Sequence, residues 1–311
     1  MAANDGKSVI IMQHTTKHPN KNSVLPVLAL LASATLWGLI WYPYRLLNEA
    51  GVSGLMASFI TYGLALLIGV PFYFKALRTL RGSMWLWLAI VFSSGWTNIA
   101  YVLAVIDGEI MRVMLLFYLA PLWTIVFSRL ILGERLGRVG YLIMLLSLGG
   151  AVIMLWQPDG RLPLPANWAE WMGLSAGFSF ALTNVLSRRA SHISIEAKSL
   201  GVWLGATLIS LPLLLLKPDS FAGLTHLGPM IWGGLVLVAF AMLGVTLFIQ
   251  YGLMQVAANR AIVILLFELV VAALSAYFLA GELLHGKEWL GAAMIVVASL
   301  FSGHMEHKET V

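Results

Sequence analysis

Glu268 sits near the middle of AIVILLFELVVAALSAYFLAGE, residues 261 to 282, a stretch otherwise suited to lipid. Ionisable groups are costly in hydrocarbon, and where they occur they mark substrate or proton pathways. A carboxylic acid there can meet a substrate's ammonium group or take up a proton inside a water-filled cavity. A protonated acid hydrogen-bonded to a neighbouring helix would account for the same residue without any transport role. No lysine or arginine lies mid-span to pair with it.

Other polar and aromatic residues recur at helical steps of three and four, which places them on shared faces. Ser94, Asn98 and Tyr101 form one such set, and Gly177, Phe180 and Asn184 a second. Gly244, Phe248 and Tyr251 form a third, and Trp37, Trp41 and Tyr44 a fourth. With Tyr118 and Glu268, the polar and aromatic members could line one substrate cavity, although Gly, Ser and Asn also serve as ordinary interhelical contacts in membranes. Trp37, Trp41, Trp96 and Trp123 fall well inside their segments, where an apolar, ring-shaped pocket or simple packing would use them. Trp85, Trp87, Trp156, Trp168, Trp171 and Trp289 fall at segment ends and read as an interfacial belt.

The elements that must position these residues are transmembrane helices. Of 311 residues, 60% are hydrophobic and 11% charged. Uncharged runs at 24–44, 54–74, 82–106, 113–128, 139–157, 171–187, 199–216 and within 229–259 mostly approach the roughly 20 residues that cross the hydrocarbon. Residues 261–280, interrupted only by Glu268, and residues 289–303 complete ten spans. The expected fold is therefore all-α and polytopic. Basic residues precede the first span and Ala32-Ser33-Ala34 resembles a cleavage site, but apolar sequence continues to Tyr44, so a signal peptide is rejected.

With the N-terminus in the cytoplasm, fourteen of the 19 Lys and Arg residues fall inside, Lys198 among them, and five fall outside. The positive-inside rule then places both termini in the cytoplasm. The net charge of +5 thus reflects topology and does not call for a nucleic-acid partner. The absence of cysteine removes disulfides, thiolate metal sites and cysteine nucleophiles. No metal or cofactor site is expected.

The chain repeats internally. The segment from Tyr101 ending in Gly133-Glu134 matches the segment from Tyr251 ending in Gly281-Glu282, and residues 30–45 match 172–188 with Arg45 opposite Arg188. Counting back from the Gly-Glu pair sets Ala120 opposite Glu268. The expected organisation is a tail at 1–23, a five-helix repeat at 24–157, a connecting loop at 158–167, a second repeat at 168–303 and a tail at 304–311. Five spans per copy is odd, so the second copy enters from the opposite side and Glu134 and Glu282 lie on opposite surfaces. Inverted repeats are a transporter architecture, since two related halves can exchange inward-open and outward-open shapes.

The five-plus-five arrangement, Trp37-Gly38 in span one, Pro121 thirteen residues before Glu134, and LLFELV followed by Gly281-Glu282 resemble the drug/metabolite transporter superfamily, EamA type. The resemblance covers about residues 25–303. Within it, the aromatic content and WGLIWYPYR resemble the bacterial aromatic amino acid exporters (YddG-type). Where the family often has Glu-Pro in span nine, this chain has Glu268-Leu269, so no proline kink is expected there. The resemblance implies a secondary transporter of the bacterial inner membrane.

Basic residues stand at span ends, with only Arg45, Arg112, Arg129 and Arg260 close enough to reach inward, which disfavours phosphorylated substrates. A neutral or zwitterionic amino-acid-like solute fits better, its carboxylate met by Asn98, Asn184 or backbone N–H groups. A multidrug or cationic-compound exporter is the alternative. No G-x-x-x-x-G-K-[ST] is present, so flux is expected to be downhill or ion-coupled, with a proton as one option, and no H-E-x-x-H or G-x-S-x-G supports a hydrolase.

Overall fold

The protein is described from a computed structural model covering residues 24–108, 110–156, 164–216, 221, 224, 227–281 and 285–305. The side chains of residues 106, 110–112 and 280 are not covered. The N-terminal tail, most of the connecting loop, Glu282, the side chain of Arg112 and the last residues of the C-terminal tail therefore lie outside the described residues.

All regular structure among the described residues is helical. Span one is α1 (Leu25–Leu39) and α2 (Trp41–Glu49), span two α3 (Gly54–Tyr73), and span three α4 (Met84–Asp107). Span four is α5 (Ile110–Phe117) and α6 (Ala120–Phe127), and span five α7 (Arg138–Leu155). Spans six to eight are α8 (Trp168–Arg189), α9 (Ile195–Leu215) and α10 (Pro229–Gln255). Span nine is α11 (Ala258–Leu265) and α12 (Phe267–Ala280), and span ten α13 (Gly286–Phe301).

Nine stretches of the described chain are long and apolar enough to cross a bilayer, one fewer than the sequence expectation. The difference is α8, which has the length but carries Glu170, Asn184 and many small polar residues. Its composition follows from its place: α8 packs against α4, α5, α6 and α10, so its faces meet protein where other helices meet lipid. Leu67, Phe72, Leu130, Leu142 and Phe278 show the opposite condition, each more than 60% exposed on an apolar surface.

Three spans are broken. In span one, Pro43 has no N–H to give the Leu39 carbonyl, and Ile40 bonds the Trp37 carbonyl at 3.2 Å instead. In span four, Pro121 leaves the Phe117 carbonyl without its helical donor, and the chain turns at Tyr118–Leu119. Span nine breaks at Leu266 with no proline or glycine present. There the Leu269 N–H reaches the Leu266 carbonyl at 3.0 Å, a tighter step than the α-helical one. The surrounding Ile264, Leu265, Leu266, Leu269 and Val270 are all buried, so packing holds the turn. Spans four and nine both end on a left-handed glycine, Gly133 at φ 72° and Gly281 at φ 68°, a conformation that suits a residue without Cβ.

The packing map has a simple form. α4 packs on α8 and α9, as α10 packs on α1 and α3. α5 and α6 pack on α8, as α11 and α12 pack on α1, while α3 meets α9 and α7 meets α13. Exchanging each span with the one five places along maps this set onto itself.

One end of the bundle gathers most of the basic side chains. The Ser194 N–H donates to Thr79 and Ser83 meets His192 at 2.7 Å, tying the turn after span two to the turn after span six. Glu134, at the end of span four, meets Arg188 of span six at 3.3 Å and the N–H of Ala258 at 3.0 Å. Arg188 also donates to the Met254 carbonyl at 2.9 Å. Lys198, assigned from sequence to a span end, is fully buried and donates to the Ser187 carbonyl at 3.1 Å, against the C-terminal turn of α8. The expectation that only four arginines reach inward is corrected accordingly.

Candidate functional site

The breaks in spans four and nine bring their partners together. Pro121 turns the chain so that Phe117 and Tyr118 present their rings inward. Phe117 lies 5.2 Å from Tyr101 of α4, 5.2 Å from Tyr118 and 5.4 Å from Phe180 of α8, centroid to centroid. Gly177, one helical step before Phe180, lets α8 approach the Phe117 carbonyl so closely that a Cβ would stand 2.3 Å from it. The carbonyl that proline leaves without a donor is therefore covered by a glycine of the neighbouring span.

Glu268 begins the second piece of span nine and faces the Tyr118 hydroxyl, with Tyr101 also close by. It makes no ion pair among the described residues. Four residues anticipated from sequence, Tyr101, Tyr118, Phe180 and Glu268, thus form one group of aromatic faces around a carboxylic acid. Phe117 is its centre and was not anticipated as a site residue. Its place beside the Pro121 break is the signal that could have found it.

Span one docks on the same span nine. Gly38 approaches the Glu268 carbonyl and Val271, where a Cβ would stand 2.7 Å from each. The Trp41 indole N–H donates to the Ser275 hydroxyl at 2.8 Å, two turns beyond Glu268, and that hydroxyl donates to the Gly38 carbonyl at 3.2 Å. Trp41 therefore has a fixed partner for its N–H and a fixed position beside the acid's helix. Ser275 was not anticipated.

Other expected residues form a second group. Tyr44 meets Thr61 at 3.1 Å, and the Tyr62 hydroxyl adjoins Asn98. Trp37 packs, half-buried, against the apolar cluster that includes Tyr62 and Met242. Asn98 Oδ1 and Asn184 Nδ2 are buried without a hydrogen-bond partner, as is Gln250 Oε1 on α10. Asn184 lies one turn beyond Phe180 on the same face of α8. Buried amide groups are ordinarily satisfied, and these three atoms depart from that rule.

The remaining candidates are not drawn into either group. Ser94 donates to the Val91 carbonyl of its own helix at 3.1 Å, beside the seam where Gly95 and Gly205 meet. Phe248 is 45% exposed, and no hydrogen bond or ring contact ties it or Tyr251 to the acid among the described residues. Trp96 donates to Ser175 at 3.2 Å, and Trp123 packs edge-on to Phe178. Trp87 departs from its expected place in the interfacial belt: it is 8% exposed and its N–H donates to the Ala197 carbonyl at 2.6 Å. Trp85, Trp168, Trp171 and Trp289 are exposed, as an interfacial residue should be.

A multi-pass helical bundle with broken helices meeting around an acid and edge-on and tilted rings is the architecture of a membrane transport protein. The EamA-like transporter family model matches the chain twice, over residues 24–156 and 167–303, and the protein belongs to this family, within the drug/metabolite transporter superfamily. It is a membrane transporter. An uncharacterized transporter of Archaeoglobus fulgidus is 28% identical over 88% of this chain and 94% of its own length. A riboflavin transporter of Rhizobium johnstonii is 28% identical over 79% of both chains, and protein RarD of Escherichia coli is 24% identical over 56% of this chain and 57% of its own. A solved crystal structure of 18% identity shares the fold, with a TM-score of 0.71 over 89% of this chain and 96% of that one.

Proposed function

We propose that the protein exports small amphipathic solutes, with aromatic and other neutral amino acids as the assigned substrates, from the cytoplasm across a bacterial inner membrane. In this reading two inverted five-span halves rock around a midplane site, and both termini are cytoplasmic. The observation that carries the proposal is the group formed by Tyr101, Phe117, Tyr118, Phe180 and Glu268 at the junction of two broken spans. Aromatic faces suit a ring, and the carboxylate suits an ammonium group or a coupling proton. Asn184 offers its unpartnered Nδ2 to the solute's carboxylate and Asn98 Oδ1 accepts from the ammonium group, while Trp37, Trp41 and Tyr44 extend the walls and Ser94, Phe248 and Tyr251 stand apart from them.

The two family matches and the packing map that survives exchange of spans five places apart support duplication with inversion. The similarity to a riboflavin transporter supports a planar, ring-bearing solute. The test is flux in proteoliposomes across a panel of amino acids, with and without an imposed pH gradient. Saturable transport of phenylalanine, tyrosine or tryptophan is expected, and dependence on the gradient would assign the acid to a proton. Flux of none of the panel would defeat the amino-acid assignment. The second reading, a cationic-compound exporter, rests on Glu268 having no cationic partner among the described residues, and it predicts cation flux that amino acids fail to inhibit.

A further inference from the structure

A cavity of about 120 Å³ lies at the basic end, away from the acid, between the end of span four and the start of span five. Arg129, Glu134, Arg135, Tyr141 and Asn259 contribute its polar lining. Both oxygens of Glu134 are already engaged, one by Arg188 and one by the Ala258 N–H. Arg129 and Arg135 have no ion-pair partner among the described residues. The cavity therefore carries two uncompensated guanidinium groups.

Asn259 adds an independent observation. It is 3% exposed, its Nδ2 donates to the Ser128 hydroxyl at 2.8 Å, and its other amide atom is buried without a partner. The two ends of an amide are interchangeable in shape. With the amide turned over, the Ser128 hydroxyl leaves the Ile125 carbonyl, 3.2 Å away, to donate to Oδ1, and Nδ2 takes the unpartnered place. Two arginines, an asparagine and a tyrosine then line the cavity as donors, a set that suits a phosphate group.

The surface beside the cavity tells which phosphate. One step around span four from Ile125 and Arg129, which line the cavity, Leu122, Val126 and Leu130 are exposed at 44%, 45% and 76%. Val139 and Leu142, at the start of span five, are exposed at 53% and 66%. A soluble anion has no use for such a strip, whereas acyl chains do.

We infer that this cavity binds the phosphate of an anionic membrane phospholipid, whose acyl chains lie along Leu122, Val126 and Leu130. The site is separate from the substrate group and does not depend on which solute is carried. Basic pockets between helices at a membrane surface recognise lipid headgroups by this chemistry, each basic side chain adding to the attraction.

The test is the thermal unfolding of the full chain in detergent, followed by tryptophan fluorescence, during titration with phosphatidylglycerol, phosphatidylcholine or inorganic phosphate. Phosphatidylglycerol is expected to raise the unfolding temperature saturably, and R129Q/R135Q to weaken its apparent affinity about 30-fold. R78Q, at the same end but outside the cavity, should leave the affinity unchanged and confirms that the effect is local. An equal response to phosphatidylcholine, an equal response to inorganic phosphate, or full affinity in the double variant would each overturn the inference. If R129Q/R135Q does not fold, N259L provides the second variant: weakened phosphatidylglycerol affinity supports the site and unchanged affinity overturns it.

Discussion

Span six closes on span four, and span one closes on span nine, through seams that the repeat sets opposite each other but that different residues seal. In the first seam, Gly177 covers the Phe117 carbonyl, and Ala120 is packed with Ala181 and Met144. In the second, Ala34 and Leu265 occupy the places opposite Gly177 and Phe117, and both are buried together. Gly38, opposite Ala181, covers the carbonyl of Glu268, itself opposite Ala120. The close approach has moved by about one turn, from the residue before the break to the acid after it. The break in span four follows from a covalent fact, the missing N–H of Pro121. The break in span nine has no such covalent cause and is held by buried side chains and by the Leu269 N–H bond to the Leu266 carbonyl. The half that carries the carboxylate is the half whose break no proline imposes.

The largest effects should come from the glycines. Gly177→Val sets a Cβ 2.3 Å from a backbone oxygen that cannot step aside. Overpacking of this kind costs about 3 kcal/mol or more. Loss of monodisperse protein in detergent size exclusion is expected. Gly38→Ala meets its neighbours at 2.7 Å, and one of the two is the Val271 side chain. It should fold with a lowered unfolding temperature, and equal losses in the two variants would break the comparison.

Next in size is the acid. Glu268→Gln keeps the shape and the Tyr118 contact but removes the charge, and flux in proteoliposomes should fall at least about tenfold, or about 1.4 kcal/mol in the barrier. Folding yield should be preserved. The reciprocal Ala120→Glu places a carboxylate in the apolar cluster of Ala181, Met144 and Ile143 and should reduce the folded yield. Unchanged flux in Glu268→Gln would remove Glu268 from the site. A well-folded Ala120→Glu protein would show that the two seams differ less than their packing indicates.

Much of this contrast was legible in the sequence. Apolar run lengths give the spans, because the thickness of hydrocarbon sets a length that composition reveals. The Gly-Glu pairs mark equivalent helix ends because a left-handed cap needs glycine, and both glycines adopt it. Tyr101 and Phe180 stand out because polar and aromatic residues at helical spacing share a face, and Glu268 because it is an ionisable group inside an apolar run. Other features left no local trace. The span-nine break lacks proline and depends on buried partners contributed by other spans. Trp87 and Lys198 sit near segment ends, where belt and snorkelling positions are usual, and only tertiary packing shows that Trp87 is buried against span seven and Lys198 against span six. The low apolar content of α8 keeps it out of the nine apolar stretches of the described chain, because a helix enclosed by protein need not be as apolar as one facing lipid.

The smallest expected effect separates the two arginines that the repeat sets opposite one another. Arg188 meets Glu134 and the Met254 carbonyl, and its side chain is 27% exposed, so three spans are joined through it. Arg45 pairs only with Glu49, one turn along the same helix, with side-chain exposures of 54% and 58%. An exposed pair within one helix gains little from solvent-screened attraction and pays side-chain entropy, so Arg45→Gln should change stability by no more than about 0.5 kcal/mol. Arg188→Gln leaves Glu134 short of one partner at a partly buried junction, and about 1–2 kcal/mol is expected after allowing for screening. Unfolding temperatures measured at low and high salt check both values. Only the Arg188 variant should lose stability appreciably, and raising the salt should narrow its gap from the parent protein. If the two variants proved equally mild, the Glu134–Arg188 contact would join the spans in space without holding them together, and the frame would rest on the glycine seams alone.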